Sequence, residues 1–422
     1  MKPVLLVGLG GDIGVYAFLR AAHERYGWRP MVLSQNPTTF MRFTTLGDWV
    51  IVPKIHTPGV LIETLNGIAA EHPDHDLILF TNLDWHVRVL AQHRAELDSR
   101  WVVPLCDLAM FDLVSSKVAF AEACAAVGVR TPLTIPVVFR PDAAGTQAAD
   151  VAARVAELGI EFPIIGKPAI SADWFEAKFP GKAKIHHFTS LEEITEVVGH
   201  LAALEYPSEF LLQEFVPGDE THMRSLTAYR DSRAQITLLA GGQVLLEEHT
   251  PGTIGIPAAI LTGVDDEAFA AASRVLEHAD YFGFANFDYK VSSRTGERVF
   301  FEMNPRIGRN NYYVTAAGVN VAAVAIQDLL PHQDAATEPT EPAVASGRIL
   351  YSVAPYRLLT RYLLDPALRA EVDAAKRASG VFHPLKYRGD ASLKRRLYVR
   401  ALDWRLSRKY KEFYPEPTDS GF

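Results

Sequence analysis

Two cysteines, Cys106 and Cys124, are all the chain has in 422 residues, too few for a disulfide framework or a four-cysteine metal site. Its fourteen histidines form no metal-ligand spacing, and the His186-His187 pair on an expected strand reads as half-exposed structure. No Ser-His-Asp or Cys-His arrangement stands out, so the sequence offers no evident protein nucleophile. Long hydrophobic runs are missing as well. The most apolar stretch, Val314 to Leu330, carries Asn320, Gln327 and Asp328 and falls short of the roughly 20 residues a membrane span needs. The start, Met1-Lys2-Pro3 followed by Val4–Val7, is basic then apolar, but Gly8, Gly10, Gly11 and Asp12 interrupt it too soon for an export signal. There is no internal repeat, and no excess of positive charge: 42 Lys and Arg against 50 Asp and Glu leave a net −8. That balance argues against non-specific nucleic-acid binding by the whole chain.

What is present is a soluble, core-forming composition, 48% hydrophobic and 22% charged, in a chain long enough for two or three domains. A cytoplasmic enzyme fits it best. The first hundred residues alternate short apolar strands (Val4–Val7, Met31–Leu33, Val50–Val52, Leu77–Phe80, Trp101–Val103) with helical patterns at Ile13–Tyr26 and Val60–Glu71. Such alternation predicts a parallel, doubly wound sheet. A further helix is expected from about Ser116 to Val127, stopped by Gly128 and Pro132. Beyond the Pro/Gly/Ala-rich connection at 140–147 the pattern shifts to short, antiparallel-looking strands with few helices between, until a Pro-, Thr- and acid-rich linker at 331–342.

Gly8-Leu9-Gly10-Gly11-Asp12-Ile13-Gly14 joins a strand to a helix, the setting of a dinucleotide-binding turn. The second strand ends Ser34-Gln35-Asn36 without the carboxylate that would hold a ribose, which disfavours NAD. A substrate or phosphate contact at the helix N-terminus and a plain tight turn both stay open.

The central part of the chain carries the strongest constellation. Phe287-Asp288-Tyr289-Lys290, a turn, and Val299-Phe300-Phe301-Glu302-Met303-Asn304-Pro305-Arg306 read as a hairpin. Glu302 and Asn304, two apart, share one strand face. With Asp288 they make three oxygen donors suited to a hard cation such as Mg²⁺, unless they are simply a solvated face. Upstream, Pro163-Ile164-Ile165-Gly166-Lys167-Pro168 ends an apolar strand in a lysine, and Lys117 opens a helix; either lysine suits an anion. Leu211-Leu212-Gln213-Glu214-Phe215-Val216-Pro217-Gly218-Asp219-Glu220 leads an apolar strand into a Pro-Gly turn between carboxylates.

In this order, over about 104–330, the motifs resemble the ATP-grasp superfamily. The implied architecture is α/β and α+β: a doubly wound pre-ATP-grasp domain (1–112), an ATP-grasp fold of two α+β subdomains (113–330, with a lid at about 133–212), and a linker with a basic helical extension (331–422). The resemblance implies ATP phosphates on Lys117 and Lys167, and adenine beside Gln213, Glu214 and the backbone near Val216. It further implies ribose on Glu220, Mg²⁺ (or Mn²⁺) on Asp288, Glu302 and Asn304, and Arg306 steadying the transferred phosphoryl group. Lys167 and Arg306 are thus candidate catalytic residues. Arg224, a third, and Arg309 are basic candidates for a carboxylate-bearing substrate. The implied reaction joins a carboxylate to an amine, an amino acid or peptide-type substrate, through an acyl phosphate. A phosphotransferase, a carboxylase and a non-catalytic nucleotide-binding module are the alternatives. One stretch departs from the family: after Lys167 the phosphate-covering loop holds aromatic residues and a single glycine, with Lys182 and Lys184 as possible replacements for backbone contacts.

From Lys376 to Lys411 about a dozen Lys and Arg face two Asp, with Leu393, Leu397, Val399, Leu402, Trp404 and Leu406 interleaved. This predicts an amphipathic basic helix, packed with a solvated basic face or docking an anionic partner. The extension loosely resembles that of the D-aspartate ligase branch, which makes an anionic cell-wall precursor a candidate partner. No nucleic acid and no membrane span are expected, and an oligomer is compatible with the sequence.

Overall fold

The computed structural model describes residues 2–36, 40–139, 147–169, 174, 176–183, 185–334 and 341–418. Lys184 and most of the two linkers lie outside the described residues. The chain forms two compact units. The larger comprises Met1–Val129, Gly218–Val291 and Glu302–Phe422; the smaller comprises Arg130–Pro217 and Ser292–Phe301.

The larger unit opens with five parallel strands, β1 (Val4–Leu9), β2 (Met31–Ser34), β3 (Asp48–Ile51), β4 (Asp76–Phe80) and β5 (Trp101–Val102), in the order β3-β2-β1-β4-β5. The two windings diverge between β1 and β4, the place where open α/β sheets hold ligands. The chain leaves β1 through Gly10, whose φ of +87° costs glycine nothing. Asp12 then caps the Ile13–Tyr26 helix, accepting from Gly14 N at 2.7 Å and Val15 N at 3.2 Å. The helix is buried nearly all round because it is covered on two sides. Phe18 stacks on Phe80 of β4 at 3.6 Å between ring centroids and meets Phe284 of the next sheet edge-on at 6.2 Å.

The smaller unit is an antiparallel sheet of β6 (Thr134–Val137), β7 (Ile164–Pro168), β8 (His186–Phe188) and β9 (Phe210–Glu214), ordered β6-β9-β7-β8. The helices Gln147–Leu158 and Leu191–Ala203 share its core with Ile135, Ile164, Phe188 and Phe210. This stretch therefore holds more helix than its short strands predict. Their apolar residues recur every three or four positions between loops, and short strands beside them mask that period. His186 is buried and His187 exposed, as alternation along a strand requires.

The larger unit continues with β10 (Met223–Arg230), β11 (Ile236–Glu247), β12 (Pro257–Thr262) and β13 (Gly283–Val291). The strand β14 (Arg298–Asn304) follows, with β15 (Ala343–Val344), β16 (Leu350–Ser352) and β17 (Val381–Phe382) beyond it. The order is β13-β10-β11-β12-β16-β17, with β15 on β11 and the Glu302–Asn304 end of β14 at the edge beside β13. Val314 to Leu330 forms two short helices, Tyr312–Ala316 and Val321–Leu329, inside this core. No helix among the described residues is long and apolar enough to cross a membrane.

The basic C-terminal segment is a helix, Leu393–Phe413, but it does not divide cleanly into an apolar inner and a basic outer face. Arg395 is 1% exposed, donates to the carbonyls of Phe40 (2.6 Å) and Arg42 (2.9 Å), and lies 3.4 Å from the equally buried Asp390. Asp390 also accepts from Tyr16 Oη and Thr44 Oγ1. The Asp390 charge and the two carbonyls on Nη1 offset part of the cost of burying this guanidinium, whose Nε and Nη2 have no hydrogen-bond partner among the described residues. Conversely Leu393, Leu397 and Trp404 point outward, 56–74% exposed. The interleaved pattern fits two faces, and tertiary packing chose Val399 and Tyr410 for burial.

Candidate active site

Asp288 on β13 and Glu302 and Asn304 on β14 come together as the hairpin requires. Asn304 Nδ2 lies 3.4 Å from Asp288 Oδ2 and 3.5 Å from Glu302 Oε1, and Asn286 Nδ2 lies 3.5 Å from Asp288 Oδ1. These contacts are at or beyond the limit of good hydrogen bonds. Two carboxylates are thus held together with only long amide contacts, and burial followed by the Glu302 charge drives the Asp288 carboxyl well above its usual range. Arg306 opposes that shift; it donates to Asn304 Oδ1 at 3.1 Å and is held by Asp84 at 2.8 Å. Two carboxylates side by side, with an amide next to them, suit a hard divalent cation. Among the described residues no group of three or more His, Cys, Asp or Glu side chains is placed to hold a metal ion, and this cluster brings two carboxylates and an amide.

A second acidic cluster lies in the same unit. Glu220 is buried, and its Oε2 accepts from Glu247 N at 2.8 Å and sits 3.2 Å from His249 Nε2. The His249 ring stacks on Tyr414 at 3.6 Å. Glu247 is pushed up to about 8 by burial and then by Glu220 and Asp288, against the pull of Lys290. Lys290, on β13 two residues beyond Asp288, is itself lowered to about 8 by burial. Sequence reasoning missed Glu247, His249 and Lys290. The signal was the Glu247-Glu248-His249 run closing an otherwise apolar strand, where buried charge needs a reason.

Lys117 opens the Lys117–Ala126 helix behind its Ser116 cap. Arg224 donates to the carbonyls of Thr221 (2.8 Å) and Met223 (2.9 Å), so part of its guanidinium fixes the local chain. Arg309 bridges Asp12 at 3.1 Å and Glu248 at 2.8 Å.

Four candidates lie in the smaller unit. Lys167 on β7 donates to Gln213 Oε1 on β9 at 2.8 Å and lies 5.9 Å from the Phe301 ring centroid. Glu214 is engaged by Arg130 at 2.6 Å and by Leu133 N at 3.0 Å, a partner the sequence did not reveal. Val216 is buried. Lys182 donates to the Ala177 carbonyl and lies 5.6 Å from the Trp174 ring, so it braces its own loop.

At the β1/β4 divergence a cavity of about 380 Å³ is bordered by Gly10–Asp12, Ser34–Asn36, Phe40, His56 and His86. His86 is 1% exposed and burial lowers it to about 4. Its Nδ1 lies 3.1 Å from Thr81 Oγ1, while its buried Nε2 has no hydrogen-bond partner among the described residues. An imidazole with an unused buried nitrogen therefore borders the cavity at the glycine turn.

A parallel sheet followed by two further sheets with helices, and a carboxylate–amide hairpin in the last of them, is the architecture of the ATP-grasp class. Residues 228–328 match the ATP binding domain of the carbamoyl-phosphate synthase L chain. The chain is 30% identical over 329 residues to a D-aspartate ligase of Enterococcus faecium (strain Aus0004), covering 77% of this chain and 76% of that one. Among solved structures it resembles the ADP complex of N5-carboxyaminoimidazole synthetase from Staphylococcus aureus (TM-score 0.54, 14% identity, 78% of each chain). It also resembles an L-amino acid ligase from Bacillus licheniformis (TM-score 0.52, 12% identity, 78% of this chain and 75% of that one). The chain belongs to the ATP-grasp superfamily and is an ATP-dependent carboxylate–amine ligase.

Proposed function

We propose that the enzyme activates a carboxylate as its acyl phosphate and joins it to the amine of an amino acid or peptide-type substrate, releasing ADP and phosphate. The observation that carries this reading is the Asp288–Glu302–Asn304 cluster with Arg306 beside it. A carboxylate oxygen attacks the γ-phosphorus, the bond from that phosphorus to the β,γ-bridging oxygen breaks, and ADP departs. The amine then adds to the acyl carbon, loses a proton, and phosphate leaves with the C–O bonding pair.

Such chemistry needs positioning and charge neutralisation rather than a protein nucleophile. Asp288, Glu302 and Asn304 would hold Mg²⁺ or Mn²⁺, which when bound neutralises charge on the transferred group. Arg306, oriented by Asp84, steadies the acyl phosphate. Lys117 and Lys167 hold the ATP phosphates; Gln213, Glu214 and the backbone at Val216 border adenine, and Glu220 the ribose. Arg224 and the cavity by the glycine turn serve the substrates. In this reading residues 1–112, 113–330 and 331–422 are the pre-ATP-grasp domain, the ATP-grasp domain and the extension. The enzyme works in the cytoplasm, and an anionic cell-wall precursor is a partner for the extension.

The test is the nucleotide product with an amino-acid pool supplied. Amine-dependent release of ADP and phosphate supports the reading, whereas AMP and pyrophosphate would exclude an acyl phosphate.

A further inference from the structure

The helix Leu393–Phe413 borders a second cavity, of about 390 Å³, within the size range of small-molecule sites. Ile13, Val353, Leu385, Leu402 and Leu406 give it an apolar lining; its charged walls are Arg309, Glu248, Asp403, Arg405 and Lys409. Most of these charges are already answered. Arg309 pairs with Asp12 and Glu248, and Asp403 pairs with Lys386 at 2.8 Å and lies 3.5 Å from His383. Arg405 and Lys409 differ: neither has a hydrogen bond or ion pair with any described residue. They stand one helical turn apart, a spacing at which like charges repel. Both are exposed, and both border the same concave space. Phe40 lines this cavity and also the one at the glycine turn, and the Arg309 bridge runs from Asp12 of that turn to Glu248 of this cavity.

We propose that this cavity is a subsite for an anionic group of the acceptor substrate, a carboxylate or a phosphate, recognised by Arg405 and Lys409. The C-terminal helix is then a wall of the substrate site, and the ligand it selects is elongated, reaching from the glycine turn past Phe40 to the helix. The inference rests on the ligase reading for the word acceptor, but the anion site itself does not.

Calorimetric titration of the full chain without ATP tests it, with aspartate, asparagine and inorganic phosphate as probes. Wild type binds aspartate or phosphate, and asparagine more weakly; whichever anion binds tighter identifies the chemistry. Replacing both cations (Arg405→Gln with Lys409→Gln) weakens that binding about tenfold or more and leaves ATP affinity unchanged. In turnover the same variant raises KM for the anionic substrate with little change in kcat, and Arg405→Lys restores part of the loss. Unchanged anion affinity in the double variant, or wild type that binds neither anion, would overturn the proposal. Charge-dependent binding without any amine-dependent ADP release would leave the subsite standing and remove the ligase reading instead.

Discussion

Two acidic clusters lie in the larger unit and are finished in opposite ways. Around Glu220 the protein supplies the donors itself: a backbone N–H at 2.8 Å and His249 at 3.2 Å, whose ring stacks on Tyr414. Around Asp288 and Glu302 it supplies amides at 3.4–3.5 Å and leaves like charges facing each other. In the reading proposed above, the cluster left short of donors is the place for a cation from outside.

The comparison is broken most severely at Glu302. Glu302→Gln should lower amine-dependent ADP release by about 10²–10³-fold, the scale of losing one preorganised electrostatic contact. Thermal stability in the absence of metal should hold or rise, because a like charge beside Asp288 has gone. Near-normal turnover in this variant would overturn the cation assignment.

Glu220 should show the reverse balance. Glu220→Ala leaves the Glu247 N–H without its acceptor and should destabilise the protein by about 2 kcal/mol, read from denaturant melts. ATP affinity also falls if Glu220 reaches the ribose. A variant as stable as wild type would mean that the internal hydrogen bonds are not what holds Glu220.

pH separates the clusters from bulk charge. Glu247 has an ordinary value of 4.5 and stands at about 8 in the folded chain, so the native state keeps a proton that the unfolded chain has lost. Its contribution is complete below about 4.5 and disappears as pH rises toward 8. Melting temperature in chelator should therefore fall across that window, and Glu247→Gln should flatten the fall. An equally steep decline in the variant would place its origin elsewhere.

The contrast between clusters also marks what the sequence could disclose. Glu302 and Asn304 lie two apart on one strand and Asp288 on the arm folded back against it, so local geometry alone brings them together. The Ile13–Tyr26 helix and the five parallel strands announce themselves through period and glycine punctuation. Partners far apart in the chain do not. Arg130 on Glu214, His249 on Glu220, and Arg395 buried against Asp390 each depend on tertiary closure, and a single sequence shows none of them. The outward Leu393, Leu397 and Trp404 mislead for a related reason: an apolar residue on a helix shows that a face exists, not which face is covered.

The smallest effect lies at the rim of the cation cluster. Arg306 reaches Asn304 Oδ1 at 3.1 Å while Asp84 holds it at 2.8 Å, and the Asp84 side chain is 55% exposed. An ion pair so open to water contributes under about 1 kcal/mol to stability; its use is to aim the guanidinium at the cluster. Asp84→Asn keeps a hydrogen-bond acceptor and removes the charge, so turnover should fall only a few-fold with no measurable change in melting. Arg306→Lys, which loses the planar fork that spans Asp84 and Asn304, should cost more than Asp84→Asn. If the two variants prove equal, Arg306 acts as a point charge and its orientation by Asp84 is irrelevant.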